Sequence, residues 1–530
     1  MSRTGSLACV YLVLCCSCAG AGREGVEQVA RGLTAVPSLV NPSFEDDGTG
    51  VASPTGWVSS GSVNADYTEW GGAAGNWRLS HYSAQAFSVD TSQTISGLPA
   101  SGWYSVRAQV RRSTGNNNAY VGLNCGRGQQ RVYVPVSWPS QWLGVVVSAQ
   151  LQQGTCTVTL HTDGDGGEWT NFDDIELEAG APQLSVLGAD VSSLKKSEDL
   201  GGKYLDNSCG NCPRPGDALN ILENHGANFI RLRVWVNPAD GYHTMAEAAA
   251  MAQRAHAQNL DLLVDLHFSD TWADPGHQTK PAAWASFTTD QLRQAVYDHT
   301  YAVCNAVKIG GRGPAMIQLG NELNAGMLWP DGRTYDPNNF DNLATFLKAG
   351  HDAVKACSPT TKVALHLAKG GDNGTFRWWF DNITQRGVDF DIIAASFYGY
   401  WDGGLGDLQF NLNDVSSHYG KDVMVVETAY PFTLGFNDSF PNAIGLPEQL
   451  VPGYPATPDG QARYFRDVMS IVRAVPNGHG LGVFYWDATW TAVPGNGWDP
   501  TDPTSGNNWE NQALFDFGNL ALPAMDDYRP

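Results

Sequence analysis

Two glutamates, Glu322 and Glu427, each follow a short apolar run that carries little other charge. Runs of this kind are typical of buried strands in a parallel sheet, and residues at their carboxyl ends meet at one edge. Two opposed carboxyl groups suit cleavage of a glycosidic bond, because one can protonate the leaving oxygen while the other faces the developing positive charge. Each glutamate taken alone could instead form a strand-end salt bridge. Their joint presence, with Asn321 beside one of them, favours catalysis.

Further polar and aromatic residues end the neighbouring apolar runs. The two-residue period of a strand places Arg231, Arg233 and Trp235 on one face. The other strand-end residues that could contact a substrate are Asp265, His267, Ser396, Tyr398, Tyr430, Trp486 and Asp487. The histidines lack the spacing of a transition-metal site, so we expect no catalytic metal.

The elements that must position these residues alternate between strands and helices from Gln183 onward. Eight apolar strand-like runs occur in order, namely Leu184–Val191, Phe229–Val236, Leu260–His267, Ala315–Leu319, Lys362–Leu367, Ile392–Phe397, Val423–Val426 and Leu481–Tyr485. Helical periodicity appears between them, in Pro215–His225, Met245–Gln258, Thr289–Val307, Asn339–Ala356 and Gln461–Ala474. Eight such units predict an α/β fold, a (β/α)8 TIM barrel over residues 183–530, with its chemistry at the carboxyl ends of the strands.

The region before the barrel has a different pattern, from about residue 37 to residue 178. Short β-like runs alternate with turn residues and helical periodicity is absent. The clearest runs are Trp103–Val110, Ala119–Leu123, Gln130–Val136, Leu143–Leu151 and Thr155–Leu160. This spacing predicts an all-β antiparallel sandwich, which a short linker would join to the barrel.

The amino-acid composition indicates which classes of ligand the protein could bind. The 530 residues include 32 Lys and Arg against 54 Asp and Glu, a net charge of −22 that argues against a nucleic-acid partner. The 18 Trp, 19 Tyr and 20 Phe suit a protein whose flat rings meet an uncharged ligand such as carbohydrate. Past the N-terminus no stretch approaches the roughly 20 apolar residues of a transmembrane helix.

The first 22 residues resemble a secretory signal peptide. Arg3 precedes an apolar run over Leu7–Leu14, and small residues follow up to Gly22. We therefore expect a secreted protein. Three cysteines at the end of the run, Cys15, Cys16 and Cys18, leave a lipid anchor at the cell surface as an alternative.

Six cysteines lie beyond the signal segment, and an even number in an exported chain favours disulfides. Proximity in the sequence favours the pairs Cys125–Cys156, Cys209–Cys212 and Cys304–Cys357. The second pair could instead be a redox motif, although no thioredoxin-like pattern surrounds it.

Three motifs resemble those of glycoside hydrolase family 53, the arabinogalactan endo-β-1,4-galactanases. They are Leu266–Pro275 with Gln278 and Lys280–Pro281, then Gln318–Glu322 with Gly326–Pro330, and finally Glu427–Pro431. The resemblance extends over about Leu184–Pro523. It implies a retaining enzyme that hydrolyses the β-1,4-galactan of type I arabinogalactan and pectin, with Glu322 as the acid/base and Glu427 as the nucleophile.

The same resemblance implies roles for the surrounding residues. Asn321 would bind the sugar 2-hydroxyl, while Arg233 and Tyr398 would keep the carboxylate of Glu427 ionised. The residues expected to line the subsites are Asp265, His267, Trp272, Trp329, Trp401 and Trp486. Catalysis would need no cofactor, and we expect a monomer. Two alternatives stay open: the same machinery acting on another β-linked polysaccharide such as mannan or glucan, and a non-catalytic glycan-binding barrel.

The sequence departs from the family at the ends of two strands. Phe397 replaces the first tyrosine of a Ser-Tyr-Tyr motif, which costs little if its side chain points away from the barrel axis. Asp487 stands where a glutamate is more usual, and this leaves one contact with the substrate undetermined.

A structural calcium ion is a further expectation from the resemblance. Bacterial relatives bind calcium between the loops that follow the seventh and eighth strands. In this chain the corresponding oxygen donors would be Asp438 and Asn442 with Asn507 and Glu510, whereas Phe436 replaces an aspartate. The alternative is a pair of solvated loops.

The N-terminal region resembles a jelly-roll module that binds galactan. The motifs are Asn41–Glu45, Gly56–Trp57, Trp77–Ser80 and Trp169–Asp174. Glu45 and Asp174 would share a structural calcium ion, and the rings that could stack on sugars are Trp70, Trp77, Trp138, Trp142 and Trp169. The alternative is a domain that only adds stability.

Overall fold

The chain folds into a β-sandwich followed by a closed parallel barrel. The computed structural model describes residues 37–529 except for 100, 116–117, 139, 153, 209–212 and 336–339. The predicted signal peptide and the Cys209–Cys212 pair therefore lie outside the described residues. Within the described part, no helix is both long and apolar enough to cross a membrane.

The sandwich consists of two five-stranded antiparallel sheets. In spatial order, the first sheet contains Val58–Gly61, Phe87–Ser96, Thr155–Gly164, Asn118–Asn124 and Gln129–Tyr133, and the second contains Asp66–Trp70, Trp77–Tyr82, Trp169–Ala179, Gly102–Arg112 and Leu143–Leu151. Burial alternates along Phe87–Ser96, as expected when one face of a strand packs on the core. The predicted all-β domain and its Cys125–Cys156 disulfide are confirmed.

The barrel closes from eight parallel strands in sequence order. From the first strand to the eighth they are Val186–Asp190, Phe229–Val234, Asp261–Leu266, Met316–Leu319, Lys362–Leu367, Ile392–Ser396, Asp422–Thr428 and Gly480–Tyr485. Eight helices accompany them: α1 Leu194–Asp199, α2 Ala218–Asn224, α3 Met245–Ala257, α4 Thr289–Ala306, α5 Phe340–Cys357, α6 Asn373–Gln385, α7 Leu405–Tyr419 and α8 Pro458–Arg473. The predicted (β/α)8 barrel is confirmed, since each of the eight strand-like runs forms a strand.

Local sequence explains where the helices begin and how two of them are joined. Thr288 starts α4 with a capping box, because its hydroxyl accepts the amide of Gln291 while the Gln291 side chain returns to the Thr288 amide. The predicted disulfide Cys304–Cys357 is confirmed and joins α4 to α5. These two helices flank the short fourth strand, which leads to Glu322.

An apolar cluster fills the barrel interior below the polar end. It contains Val186, Phe229, Leu263, Met316, Ala364, Ile392, Ala394, Met424, Val426 and Phe484. Gly188 is required by this packing, since a β-carbon there would lie 2.1 Å from the Phe484 ring. Because apolar side chains fill the lower interior, the charged side chains lie toward the carboxyl ends of the strands.

The sandwich and the barrel pack together, and residues 37–530 form one compact unit. Gln409 of α7 makes two reciprocal bonds with Gly144, accepting its amide at 2.7 Å and donating to its carbonyl at 2.9 Å. Arg107 donates to the carbonyl of Ala474 at 3.0 Å. The contact therefore involves specific polar pairs from both domains.

Candidate active site

The carboxyl groups of Glu322 and Glu427 lie at the carboxyl end of the barrel. Glu322 follows the fourth strand with its backbone in the left-handed region (φ 49°), which turns the chain sharply after Asn321. Glu427 is the penultimate residue of the seventh strand, and its backbone is in register with Ser396 of the sixth. The structure thus brings together the two residues that sequence analysis selected first.

Two donors bind the carboxylate of Glu427. The guanidinium of Arg231 lies 2.8 Å from Oε1, and the hydroxyl of Tyr398 donates to Oε2 at 3.1 Å. The expectation for Tyr398 agrees with this geometry. The expectation that Arg233 performs the same task is wrong, because the cation beside Glu427 is Arg231.

Arg233 instead contacts Asp487 and an indole. Its Nη1 lies 3.3 Å from Asp487 Oδ2, and its guanidinium carbon lies 4.0 Å from the centre of the Trp272 ring. Both arginines point inward, but the pleat places Arg233 about 6–7 Å further along the strand than Arg231. Asp487, whose substitution for glutamate left one contact undetermined, is therefore the ion-pair partner of Arg233.

Arg231 is the centre of the charge network. It is fully buried and contacts three carboxylates, those of Asp190 at 2.8 Å and Asp265 at 2.9 Å in addition to Glu427. Burial opposes ionisation of Asp265, but the charge of Arg231 and the hydrogen bond from His267 lower its pKa to about 2. The two-residue period predicts the correct face for Arg231 but gives it no role.

Asp265 and His267 were expected to line the subsites, but protein partners occupy their polar atoms. Asp265 binds Gln318 through Oδ1, and Arg231 and His267 through Oδ2. His267 Nδ1 accepts the indole N–H of Trp235 and a backbone amide, so its Nε2–H must donate to Asp265. Both residues therefore support the site from below, and that expectation is corrected.

Glu322 receives a hydrogen bond from an uncharged group. The hydroxyl of Ser396 donates to Oε1 at 2.7 Å, and Nε2 of His366 lies 2.8 Å from the same hydroxyl oxygen. Burial lowers the pKa of His366 well below its usual value, so this imidazole is neutral. The chain His366–Ser396–Glu322 was not predicted as a unit, although Ser396 appears among the strand-end residues.

The surroundings separate the pKa values of the two catalytic candidates. Burial raises the pKa of Glu322 well above its ordinary value, and the negative charge of Glu427 raises it further. Burial also raises the pKa of Glu427, while Arg231 works in the opposite direction. In this pair, Glu427 ionises first and Glu322 keeps the proton.

Asn321 lies between Arg231 and the backbone carbonyl of Ala273. Its Oδ1 accepts from Arg231 at 3.0 Å, and its Nδ2 donates to the carbonyl of Ala273 at 2.8 Å. The side-chain amide is thus fixed directly beside Glu322, and one N–H of Nδ2 remains for another acceptor.

The four tryptophans expected at the subsites differ in exposure. Trp401 is 57% exposed beside Tyr398, with ring centres 5.7 Å apart. Trp486 is buried, Trp272 stacks on Trp498 at 4.8 Å, and Trp329 lies under the guanidinium of Arg333 at 4.6 Å. The loop after the eighth strand adds Trp490, Trp498 and Trp509, which sequence analysis missed despite the density of tryptophan there.

The paired loops after the seventh and eighth strands contain the predicted calcium ligands. Asp438 accepts the amides of Phe440 and Asn507 at 2.6 and 2.7 Å, and both side-chain ends of Asn507 are also bonded to the protein. Four buried oxygens of these loops have no hydrogen-bond partner within the described residues: Asn442 Oδ1, Asn508 Oδ1, Glu510 Oε2 and Asn511 Oδ1.

Hard oxygens without donors fit a calcium ion. The described part of the chain has no group of three or more His, Cys, Asp or Glu side chains that could hold a metal. Amide and carbonyl oxygens would therefore have to provide most of the ligands, with Glu510 as the acidic one. Of the four predicted ligands, Asn442 and Glu510 keep an oxygen available.

The other predicted ion, in the sandwich, receives less support from the geometry. The segments of Glu45 and Asp174 do meet, but through a backbone bond from the Ile175 amide to the Pro42 carbonyl at 2.9 Å. Glu45 Oε1 accepts the amide of Trp77 at 2.6 Å, and Asp174 is exposed. A calcium ion shared by these two side chains therefore stays a prediction.

Comparison with known proteins places the barrel in a family. The sequence profile of glycosyl hydrolase family 53 matches residues 186–528. An uncharacterised protein of Niallia circulans is 40% identical over 346 residues, which are 64% of this chain and 92% of that protein. An arabinogalactan endo-beta-1,4-galactanase of Thermothelomyces thermophilus is 38% identical over 315 residues, 58% of this chain and 90% of that protein.

A solved structure gives the same result. The GH53 catalytic domain of Ignisphaera aggregans is 39% identical, with a TM-score of 0.62, over 66% of this chain and 97% of its own. The chain is therefore a glycoside hydrolase that belongs to glycosyl hydrolase family 53.

Proposed function

We propose that this protein is a retaining endo-β-1,4-galactanase that cleaves the β-1,4-galactan of type I arabinogalactan and pectin. The observation that carries the proposal is the unequal environment of two carboxyl groups in one cleft. Glu427 has a guanidinium and a phenol beside it, whereas half-buried Glu322 has a serine hydroxyl. Relatives that carry the galactanase name support the choice of substrate.

The first step uses Glu427 as nucleophile. Its carboxylate attacks the anomeric carbon while Glu322 transfers a proton to the glycosidic oxygen, so that this carbon–oxygen bond breaks and a galactosyl ester forms. Arg231 and Tyr398 hold the attacking carboxylate in place. In the second step Glu322, now ionised, takes a proton from water, and the water oxygen displaces Glu427 with net retention at the anomeric carbon.

Substitution of each carboxyl group tests the assignment. Glu322→Gln and Glu427→Gln should each reduce turnover of galactan by several orders of magnitude without changing the fold. Azide should restore cleavage by Glu427→Ala and give a product of inverted configuration, because the anion occupies the nucleophile's position. The exposed Glu448→Gln is the matched control. A Glu427 variant that keeps most of its activity, or an unaltered enzyme that prefers mannan or cellulose, would contradict the proposal.

We propose that the sandwich binds galactan. A cleft of about 400 Å³ opens on its second sheet, lined by Tyr67, Glu69, Arg78, Tyr82, Arg111, Ser140, Trp169 and Asn171. Rings and neutral or paired polar groups are the usual contacts of an uncharged sugar. Affinity electrophoresis of the Glu427→Gln protein in galactan should show retardation that Trp169→Ala weakens. Trp103→Ala is the control, because this ring is 43% exposed on the same domain but outside the cleft.

We propose a structural calcium ion at the paired loops that contain Asn442 and Glu510. Such an ion binds the folded state and adds stability according to its concentration. Chelation by EDTA should therefore lower the unfolding temperature, and added Ca2+ should restore it more effectively than Mg2+, whose geometry is stricter. The same unfolding temperature with and without EDTA would contradict the site.

We propose that the protein is exported and acts as a monomer. The disulfides Cys125–Cys156 and Cys304–Cys357 suit an oxidising compartment, and each chain contains both carboxyl groups of its own cleft. N-terminal sequencing of protein from the medium should begin near residue 23. Lipid on a cysteine near the N-terminus would instead indicate anchoring at the cell surface.

A further inference from the structure

The sandwich contacts the barrel beside the catalytic cleft. The carbonyl of Trp138 lies so close to Gly404 that a β-carbon at this glycine would be 2.2 Å from the carbonyl oxygen. Next to this contact, Gln141 donates to Asp407 Oδ1 at 3.0 Å. A side chain at Gly404 would therefore force the two domains apart.

The barrel segment in this contact also belongs to the active site. It begins with Tyr398, which binds Glu427, and continues through the exposed indole of Trp401 to Gly404. Asp402 accepts the amide of Tyr398 at 2.8 Å, and Asp407 accepts the amide of Gly404 at 2.9 Å. The segment is thus held at both ends and leads from the nucleophile to the sandwich.

The sandwich residues in this contact also adjoin the proposed sugar cleft. Ser140 lines that cleft, two positions after Trp138, whose indole is 50% exposed. The reach of the backbone puts Trp401 and Ser140 no more than about 25 Å apart through the Gly404 contact. Each domain therefore has an exposed indole close to the Gly404 contact, Trp401 on the barrel and Trp138 on the sandwich.

Polar contacts fix the relative orientation of the two clefts. The reciprocal bonds of Gln409 with Gly144 bind α7 to the sandwich, and Tyr454 joins the same interface by accepting the amide of Val136 at 3.3 Å and donating to Asp467 at 2.8 Å. A ligand bound in one cleft therefore lies at a constant distance and in a constant direction from the other cleft.

We propose that one galactan chain occupies the catalytic cleft and the sandwich cleft at the same time, and that it passes Trp401 and Trp138 on the way. The proposal rests on the proposed function, and it adds that the two sites act as one extended site. A module on a flexible tether would raise the local concentration of enzyme on a cell wall. A fixed second cleft also raises the affinity for a single soluble chain that is long enough to span both.

Binding stoichiometry provides the direct test. The full-length Glu427→Gln protein is titrated by calorimetry with galactotetraose and then with longer soluble galacto-oligosaccharides. We expect two tetraose molecules per protein, and one molecule per protein for oligosaccharides long enough to span the clefts, with tighter binding. Two molecules per protein at every length would overturn the spanning chain and leave galactan binding by the sandwich intact. A single tetraose site that Trp169→Ala does not alter would overturn both proposals.

Kinetics of the active enzyme give a second readout. Trp169→Ala should lower kcat/KM on long soluble galactan roughly tenfold, the scale expected when a second contact is lost, and leave kcat/KM on galactotetraose unchanged. Trp103→Ala, the matched control, should change neither value. Equal kcat/KM of Trp169→Ala and the unaltered enzyme on long soluble galactan, with a loss confined to insoluble cell walls, would indicate independent sites and overturn the proposal.

Discussion

A guanidinium lies beside Glu427, and a serine hydroxyl lies beside Glu322. In a buried site this difference has a large effect, because a positive charge stabilises a carboxylate far more than a neutral donor does. Removal of a hydrogen-bond donor should therefore change the pH dependence of each carboxyl group separately.

Ser396→Ala removes the hydroxyl that donates to Glu322. A hydrogen bond to a carboxylate stabilises its ionised form, so its loss should raise the pKa of Glu322 further. Glu322 then stays protonated to higher pH, and the basic limb of the kcat/KM profile should move upward. Ser416→Ala is the control. The hydroxyl of Ser416 donates to the carbonyl of Lys421, so its loss should not move the profile. A basic limb that moves downward in Ser396→Ala would contradict Glu322 as the acid.

Tyr398→Phe removes a donor from Glu427. Hydrogen bonds to a charged group contribute about 1.5–3 kcal/mol, so kcat should fall roughly ten- to hundredfold. The ionised form of Glu427 also loses a hydrogen bond. This loss should raise the pKa of Glu427 and move the acid limb of the profile to higher pH. The neighbouring Tyr400→Phe is a matched control, since its hydroxyl binds Gln512. Equal activity in both variants would exclude a role for the Tyr398 hydroxyl.

Sequence reasoning identified the face of the second strand but not the depth of each residue on it. Arg231 and Arg233 are two positions apart on the same strand. The two-residue period places both on one face and does not distinguish between them. Which of them meets Glu427 depends on strand register and barrel stagger, which are three-dimensional quantities. Glu322 and Glu427 were easier to find, since each is an isolated carboxylate at the end of an apolar strand.

At the scale of elements, strands were located more reliably than their ends. The fifth strand, Lys362–Leu367, matches its prediction at both ends, whereas the seventh extends to Asp422–Thr428. The added residues include Glu427 itself, which directly follows the predicted run. A buried charge in a strand is stable only with a partner such as Arg231, and that partner comes from another strand.

The disulfide Cys304–Cys357 connects α4 with α5 over 53 residues of sequence. Closing a loop of this size stabilises a protein by about 4 kcal/mol in the chain-entropy model. Replacing both cysteines with serine should therefore lower the free energy of unfolding markedly, while kcat stays near its original value because the side chains bonded to Glu322 and Glu427 come from other elements. Denaturant unfolding and a galactan assay on the same samples measure the two effects. Unchanged stability in the double variant would contradict this prediction.

At the scale of the whole molecule, the order of the two domains and their classes could be predicted from the sequence. The change from a two-residue period to alternating strands and helices is a local property and is visible without a structure. The contact between the domains could not be predicted. Gln409 and Gly144 are ordinary surface-type residues in the sequence, and their pairing depends on the relative orientation of two separately folded layers.

The extent of this contact predicts how the molecule unfolds. The reciprocal Gln409–Gly144 bonds and the Arg107–Ala474 bond are supplemented by Arg466, whose guanidinium lies 4.3 Å from the Tyr133 ring. Because each such contact contributes about 1 kcal/mol and all break together, sandwich and barrel should unfold in one calorimetric transition. Combining Gln409→Ala with Arg107→Ala should split this transition in two, whereas Trp70→Ala should leave it single. Two separated transitions in the unaltered protein would show that the domains are energetically independent.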